Sequence, residues 1–521
     1  MHDSASVHSG CAGRAAASPG RAAASPGRAG RGSAQPTDQL RSLGLFERLY
    51  AARQALGAHT SVVITATYTV PTDVDDARLL QCLRAVVARL LPRHAALGCY
   101  VQGVGTLHPQ YVRLETIDLD DVVELASIER ADALAPLLET LHDVPWGPGA
   151  VPQWKLVGVR EALGHARPVC STVHFAFVSN HIIGDGLSGV AFHKTMLQEL
   201  GGAWETCSAA RGAATPPHLR VPRDASLTEP IEHATPFPLS WAFVARQLLG
   251  AFAPAWLSRT PEAPWAGQPP QLPHERPLRA RIRLVTLPAD EVRSLVEACR
   301  RNGVTLTSLL MAALAAVLAD AVPDASAFVS QTPYTLRRVT RAPAVDMVNQ
   351  TSALVRFSPD ELRSVRRGAL CLVHGGTDRP ARIWALARRF HAHLRAELAR
   401  APRDNAVGLL PYVRDPMAFF RGQAGRPRAT TWELSNVGAF RAERGTCPLP
   451  PGWTLRNVTF TQGAQPFGAA FCVNAAGLSG GPLALSVTWQ AYVVSDAVAD
   501  RVVEGLRELP RLVGGHMAAA R

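Results

Sequence analysis

Residues 179–189 read SNHIIGDGLSG and set an imidazole and a carboxylate four positions apart, at His181 and Asp185, with Gly184 and Gly186 flanking the acid. A histidine with its ordinary pKa of about 6.5 is the usual general base at neutral pH. Placed on the proton of a nucleophile, such a base contributes roughly 10²–10⁴-fold in rate. The aspartate has two jobs open to it: it can orient the imidazole, or it can tie down the loop by pairing with an arginine from elsewhere in the chain. The glycines allow positive φ and close backbone approach. Amides at Gly186, beside a helix start, can face a developing oxyanion. Two other readings fit the same residue types: a well-packed turn with a structural histidine, and a metal pair. The metal reading lacks a third ligand, because His174 falls in the preceding strand and His193 on the following helix.

The elements around this loop are legible. STVHFAFV (171–178) is an apolar, β-branched run that predicts a buried strand, and GVAFHKTMLQEL (189–200) predicts a helix. Chemistry is common on loops at strand ends. Upstream, DQLRSLGLFERLYAARQALG (38–57) predicts one helix packed on the core. TSVVITATYTV (60–70) predicts a strand and DDARLLQCLRAVVARLL (75–91) a helix, and strands are expected at 111–119 and 153–160. The chain then repeats the same logic. A strand is expected at 276–288, and a helix at 289–303 ends at Gly303. A helix at 304–322 is apolar nearly all round and can be capped by Thr305 or Thr307. Strands at 326–337 and 351–358, a helix at 382–398, a strand near 430–438, a hairpin over 467–493 and a helix at 495–509 complete the pattern. The expected division is a low-complexity tail (1–37), a first α/β half (38–208), a Pro-rich linker (209–275) and a second α/β half (276–521), with a ligand held between the halves.

Bulk properties narrow the function classes. The chain has 521 residues, is 47% hydrophobic and carries a net charge of +12. Only Lys155 and Lys194 are lysines; every other basic residue is an arginine, and the arginines are scattered. This reads as a solvated basic surface, and no nucleic-acid partner is expected. The nine cysteines are widely spaced with no CxxC, which excludes a zinc-finger pattern and fits a reducing compartment such as the cytoplasm. The tail contains the tandem GRAAASPGRAAASPG and no apolar signal-peptide core. Residues 236–257 are apolar, but Arg246, Gln247 and Pro254 interrupt them, so a lid, a crossover or an interfacial helix is expected rather than a span.

HIIGDG, between a strand and a helix, resembles the HxxxDG motif of the superfamily that holds chloramphenicol acetyltransferase, the plant BAHD acyltransferases and condensation domains. A longer ordered set is similar to the fungal alcohol acetyltransferase family: RSLGLFERLYAARQALG, VVITATY, PQWKLVGV, FVSNHIIGDGLSG, APWAG, GVTLTSLLMAALAAVLA, TPYTLRR, ELSNVGAF and LALSVTWQAYVVSD, spanning about residues 40–510. The resemblance implies an α/β fold of two chloramphenicol-acetyltransferase-like mixed-sheet halves with a tunnel between them. It implies an O-acyltransferase that uses acetyl-CoA, or another acyl-CoA, as co-substrate, with no bound cofactor or metal. His181 would deprotonate an alcohol, or in an N-acyltransferase an amine; Asp185 would be structural, with Arg337 as its partner; Gly186 completes the motif. Asn180, Ser435 and Asn436 would line the tunnel. Asn180 stands where condensation domains carry a first histidine, which argues against peptide synthesis. A silent binding protein of this fold remains the reading from another class, opposed by the intact His181, Asp185 and Gly186. A monomer is expected, and the resemblance implies peripheral association to endoplasmic reticulum or lipid droplets through the segments at 38–57 and 236–257.

Overall fold

The strand that leads to His181, Cys170–Asn180, is buried along nearly its whole length. Its side chains alternate between two packed layers, as the pleat requires. Val173, Phe175 and Phe177 meet Phe192, Met196 and Leu200 of the helix Gly186–Ala209. Ala176 and Val178 face Leu134, Leu138 and Ile282. The helix lies close on the sheet: a Cβ at Gly189 would come within 2.5 Å of Ile64 Cγ1.

The structure is a computed structural model that describes residues 38–521 except 59–60, 144, 148, 163–169, 210–214, 253–263, 276, 358–378, 442–447 and 515–521. The low-complexity tail, and the parts of the linker and of residues 236–257 within these gaps, lie outside the described residues.

Two mixed sheets carry the fold, an α/β architecture. The first runs in the order Thr454–Gln462, Ser61–Pro71, Cys170–Asn180, Trp154–Glu161, Val123–Ile128. Its neighbours are antiparallel except the last pair, which is parallel. The second runs Ala280–Leu287, Leu483–Gln490, Phe471–Leu478, Trp432–Phe440, Val329–Thr335, Thr351–Phe357, with parallel pairing on both sides of Trp432–Phe440. Helix Leu306–Ala321 is buried on almost every side and is capped by Thr305, which accepts from the Ser308 amide. Helices Arg379–Arg400 and Asp496–Arg507 pack against it through Ile383, Phe390, Val502 and Leu506.

Two features depart from the sequence-based expectations. Residues 38–57 form a strand, Gln39–Ser42, and then a helix, Leu45–Ala55. Gly44 is extended between them, and its amide donates to the Glu47 carboxylate at 2.7 Å, which starts the helix there. The strand pairs with Gln110–Arg113, an apposition the local pattern cannot announce. The strand Thr454–Gln462 is also absent from the sequence reading. After Trp432–Phe440 the chain leaves the second sheet, adds this strand to the edge of the first, and returns as Phe471–Leu478. Helix Trp241–Phe252 leaves Trp241, Leu248 and Leu249 exposed. No single helix among the described residues is long and apolar enough to cross a membrane.

Candidate active site

A cavity of about 240 Å³ lies between the two sheets. His181, Gly186, Phe460 and Gln462 line it from the first sheet, and Gln331, Glu433 and Ser435 from the second. Helix Leu45–Ala55 closes it with Phe46, Leu49, Tyr50 and Arg53. A smaller cavity of about 80 Å³ shares Asp185, Gly186 and Ser435 with the first and adds Asn436. Asn436 in turn lines a third cavity of about 470 Å³, beside Arg293 and Arg300.

His181 is held in one tautomer. The Asn349 Nδ2 donates to the carbonyls of His181 and Ile182, both at 2.8 Å, which fixes the amide's orientation. Its oxygen therefore faces His181 Nδ1, 3.2 Å away. An amide oxygen only accepts, so Nδ1 carries the proton and Nε2 keeps its lone pair. Nε2 has no hydrogen-bond partner among the described residues. The Tyr50 ring stacks on the imidazole at 3.9 Å and 12°. Burial lowers the His181 pKa to about 4, with Arg53 adding to the effect, so the ring is neutral at pH 7.

Asp185 makes no hydrogen bond to His181 among the described residues. Its Oδ1 accepts from Arg337 Nη2, the Ser188 amide and the Ser188 hydroxyl, each at 3.0 Å, and Oδ2 accepts from the Gln350 amide at 3.3 Å. Arg337 is anchored by the carbonyls of Pro343, Asp346 and Val348 at 3.1, 2.8 and 3.2 Å. The pair ties the loop after the first sheet's central strand to the segment that precedes Thr351–Phe357 in the second. From that position the carboxylate still acts on the imidazole through space, favouring its charged form.

The remaining candidates divide. Ser435 lines the main cavity. Asn436 does not; its Nδ2 donates to Thr307 Oγ1 at 3.0 Å, and it lines the two outer cavities. Asn180 lines none of these cavities, and its Nδ2 donates to Gln54 Oε1 at 2.7 Å and Gln153 Oε1 at 2.8 Å. A Cβ at Gly186 would come within 2.9 Å of Val437 Cγ1 and 3.1 Å of Phe460 Cζ, so the two halves meet there only because the side chain is missing. His174 bonds Thr67 and Glu161, and His193 bonds the Ile64 carbonyl, so neither joins His181. No cluster of three or more potential metal ligands occurs among the described residues. Sequence reasoning did not single out Tyr50, Arg53, Asn349 or Glu433. Tyr50, Arg53 and Glu433 lie in stretches that carry the resemblance, but nothing in those stretches marks them as site residues; only the folded chain brings them to the cavity of His181.

Two mixed sheets flanking a buried histidine, with an aspartate–arginine brace beside it, form an α/β fold of the chloramphenicol acetyltransferase-like class. The solved structure of TRI3 trichothecene 15-O-acetyltransferase from Fusarium sporotrichioides superposes with a TM-score of 0.66 at 14% identity, over 91% of this chain and 94% of that one, and shows the shared fold. Residues 42–341 match the alcohol acetyltransferase family, and the chain belongs to that family. It is 27% identical to the probable alcohol acetyltransferase FCK4 of Fusarium pseudograminearum, over 90% of this chain and 93% of the relative. It is also 27% identical to the probable alcohol acetyltransferase crmB of Aspergillus fumigatus, over 89% and 98%. Membership implies an acyl-CoA co-substrate.

Proposed function

We propose that the protein transfers an acetyl group from acetyl-CoA to the hydroxyl of an alcohol, with His181 as the general base. One observation carries this reading: a neutral imidazole, fixed with Nδ1 protonated, presents an unpartnered Nε2 within a cavity between two sheets. The alcohol's proton passes to Nε2 as its oxygen attacks the thioester carbonyl. The C–S bond then breaks, the thiolate takes the proton from the imidazolium, and ester and CoA leave. The oxyanion of the tetrahedral intermediate falls to the amides of Gly186 and Leu187 at the start of helix Gly186–Ala209, since the next one, of Ser188, is taken by Asp185. Asp185 and Arg337 hold the loop in register, and the carboxylate's field favours the imidazolium as it forms.

The donor enters through the outer cavities. Asn436 lines both the small cavity beside the reacting centre and the larger one with Arg293 and Arg300, which stand two turns apart on one face of helix Ala289–Arg301. Their guanidinium groups suit the phosphates of CoA.

Thiol release from acetyl-CoA, followed with a colorimetric reagent across a panel of alcohols and amines, tests the reading. Acceptor-dependent release in the wild type that falls roughly 10²–10⁴-fold in His181→Ala is the expected result. Release that survives the substitution in full removes His181 as base. A preference for amines over every alcohol moves the activity to N-acylation.

A further inference from the structure

Arg53, in the last turn of helix Leu45–Ala55, is the one cationic side chain among the described residues that lines the main cavity. Aromatic rings hold it in place: its guanidinium carbon lies 4.9 Å from the Phe420 ring centre and 5.5 Å from that of Tyr50. Yet its guanidinium donates to no described residue, and its Nε is buried without a partner. The carboxylate that acts on it electrostatically, Glu433, is engaged elsewhere. Its Oε2 accepts from Gln331 Nε2 at 2.9 Å and its Oε1 from Gln462 Nε2 at 3.2 Å. Glu433 stabilises the arginine's charge through space but forms no ion pair with it. A half-buried guanidinium with unsatisfied donors is costly, and desolvation does lower its pKa. The chain keeps it where the cavity opens onto it.

We propose that the missing hydrogen-bond acceptor belongs to the substrate: Arg53 binds a carboxylate or carbonyl oxygen of the alcohol whose hydroxyl reaches His181. The inference rests on the acyl-transfer reading of His181 and assigns the substrate class. The imidazole and the guanidinium contact the same Tyr50 ring, so the reacting hydroxyl and the recognised oxygen sit several bonds apart on one molecule. Leu49, Val407, Leu410 and Phe460 line the same cavity and take the carbon skeleton between them. The favoured acceptor is therefore a hydroxy acid, or a hydroxy ester or ketone, rather than a plain alkanol. Arg53 offers a planar fork that matches a carboxylate bidentately and a carbonyl singly.

The test compares a hydroxy acid, its methyl ester and the alkanol of equal chain length as acceptors with acetyl-CoA, in wild type, Arg53→Met and Arg53→Lys. Calorimetric binding of the hydroxy acid without acetyl-CoA runs alongside. In the wild type kcat/KM for the acid or the ester should exceed that for the alkanol by about 10–100-fold, the worth of a hydrogen bond to a charged group. The ratio should fall towards one in Arg53→Met, and Arg53→Lys should restore part of the preference for the acid. An acid-selective wild type identifies a carboxylate ligand, an ester-tolerant one a carbonyl. Equal use of all three acceptors by the wild type overturns the proposal and leaves acyl transfer standing, and it does so even if Arg53→Met fails to fold. A uniform rise in KM for acetyl-CoA in Arg53→Met, with the acceptor ratio unchanged, also overturns it, because the arginine then serves the donor. Arg53-dependent binding of the acid without any thiol release supports the binding site and removes the acyl-transfer reading. Neither binding nor release with any of these compounds overturns both.

Discussion

Arg53 lines the main cavity, Arg337 pairs with Asp185 in its wall, and the surroundings of the two arginines differ. Arg337 gives its Nη protons to the Asp185 carboxylate and three backbone carbonyls, and Asp185 is completed by Ser188 and Gln350. Arg53 is clasped by Tyr50 and Phe420 and gives a hydrogen bond to no described residue. A buried charge whose Nη donors all meet acceptors of the chain, though its Nε, like that of Arg53, meets none, is committed to holding the fold. One whose partners are missing stands ready for a ligand, and the folded state carries the cost until the ligand arrives. His181 sits between these regimes: one nitrogen is bonded to Asn349 and fixed, the other is open.

The largest effect expected is on His181 itself. His181→Ala should lower kcat/KM roughly 10²–10⁴-fold while its unfolding midpoint in denaturant stays near that of the wild type. A comparable loss of stability would place the imidazole with Arg337 rather than between the two regimes.

The paired arginine should show its role in stability. Arg337→Met or Asp185→Asn should each cost about 3–5 kcal/mol, because each leaves a buried partner uncompensated. The double variant should cost clearly less than the two single losses together. Equilibrium unfolding in urea reads both. Additive losses would mean the two groups do not act as a pair.

For the unpaired arginine the sign reverses. Arg53→Met should leave stability unchanged or raise it by about 0.5–2 kcal/mol, as removal of a functional strain commonly does. A loss as large as that of Arg337→Met would erase the contrast between the two sites.

A further effect is a pH dependence. Burial pushes His94, His181 and His193 down to about 4. In the unfolded chain each titrates at about 6.5. Between these values the unfolded state binds the extra protons, so stability is fully present above about 6.5 and declines as pH falls towards 4. Urea unfolding at pH 7, 6 and 5 should show midpoints that drop with pH. The acid limb of kcat/KM should lie well below 6.5 for the same reason, and a limb at 6.5 would show that the imidazole is hydrated in solution.

The legible parts of the molecule are those governed by near neighbours. The strand Cys170–Asn180, the turn after it and the helix Gly186–Ala209 follow from a β-branched run, a glycine pair and a helical repeat within one short stretch. Helix Leu306–Ala321, with its Thr305 cap and the positive φ of Gly303 before it, was equally local. Where residues 38–57 divide into strand and helix, the deciding partner was the distant strand Gln110–Arg113, and the local periodicity missed it.

By itself, then, the sequence determined which segments are strands and helices around the motif, and that His181, Asp185 and Gly186 share one tight loop, because those outcomes depend on spacing along the chain. The tertiary structure alone decided which chemical state each group occupies. Asn349 sets the His181 tautomer from 168 residues away, and the detour of Thr454–Gln462 into the other sheet brings Phe460 and Gln462 to the cavity wall. Burial, pairing and an open lone pair are properties of surroundings, and surroundings come into being only when remote parts of the chain pack together.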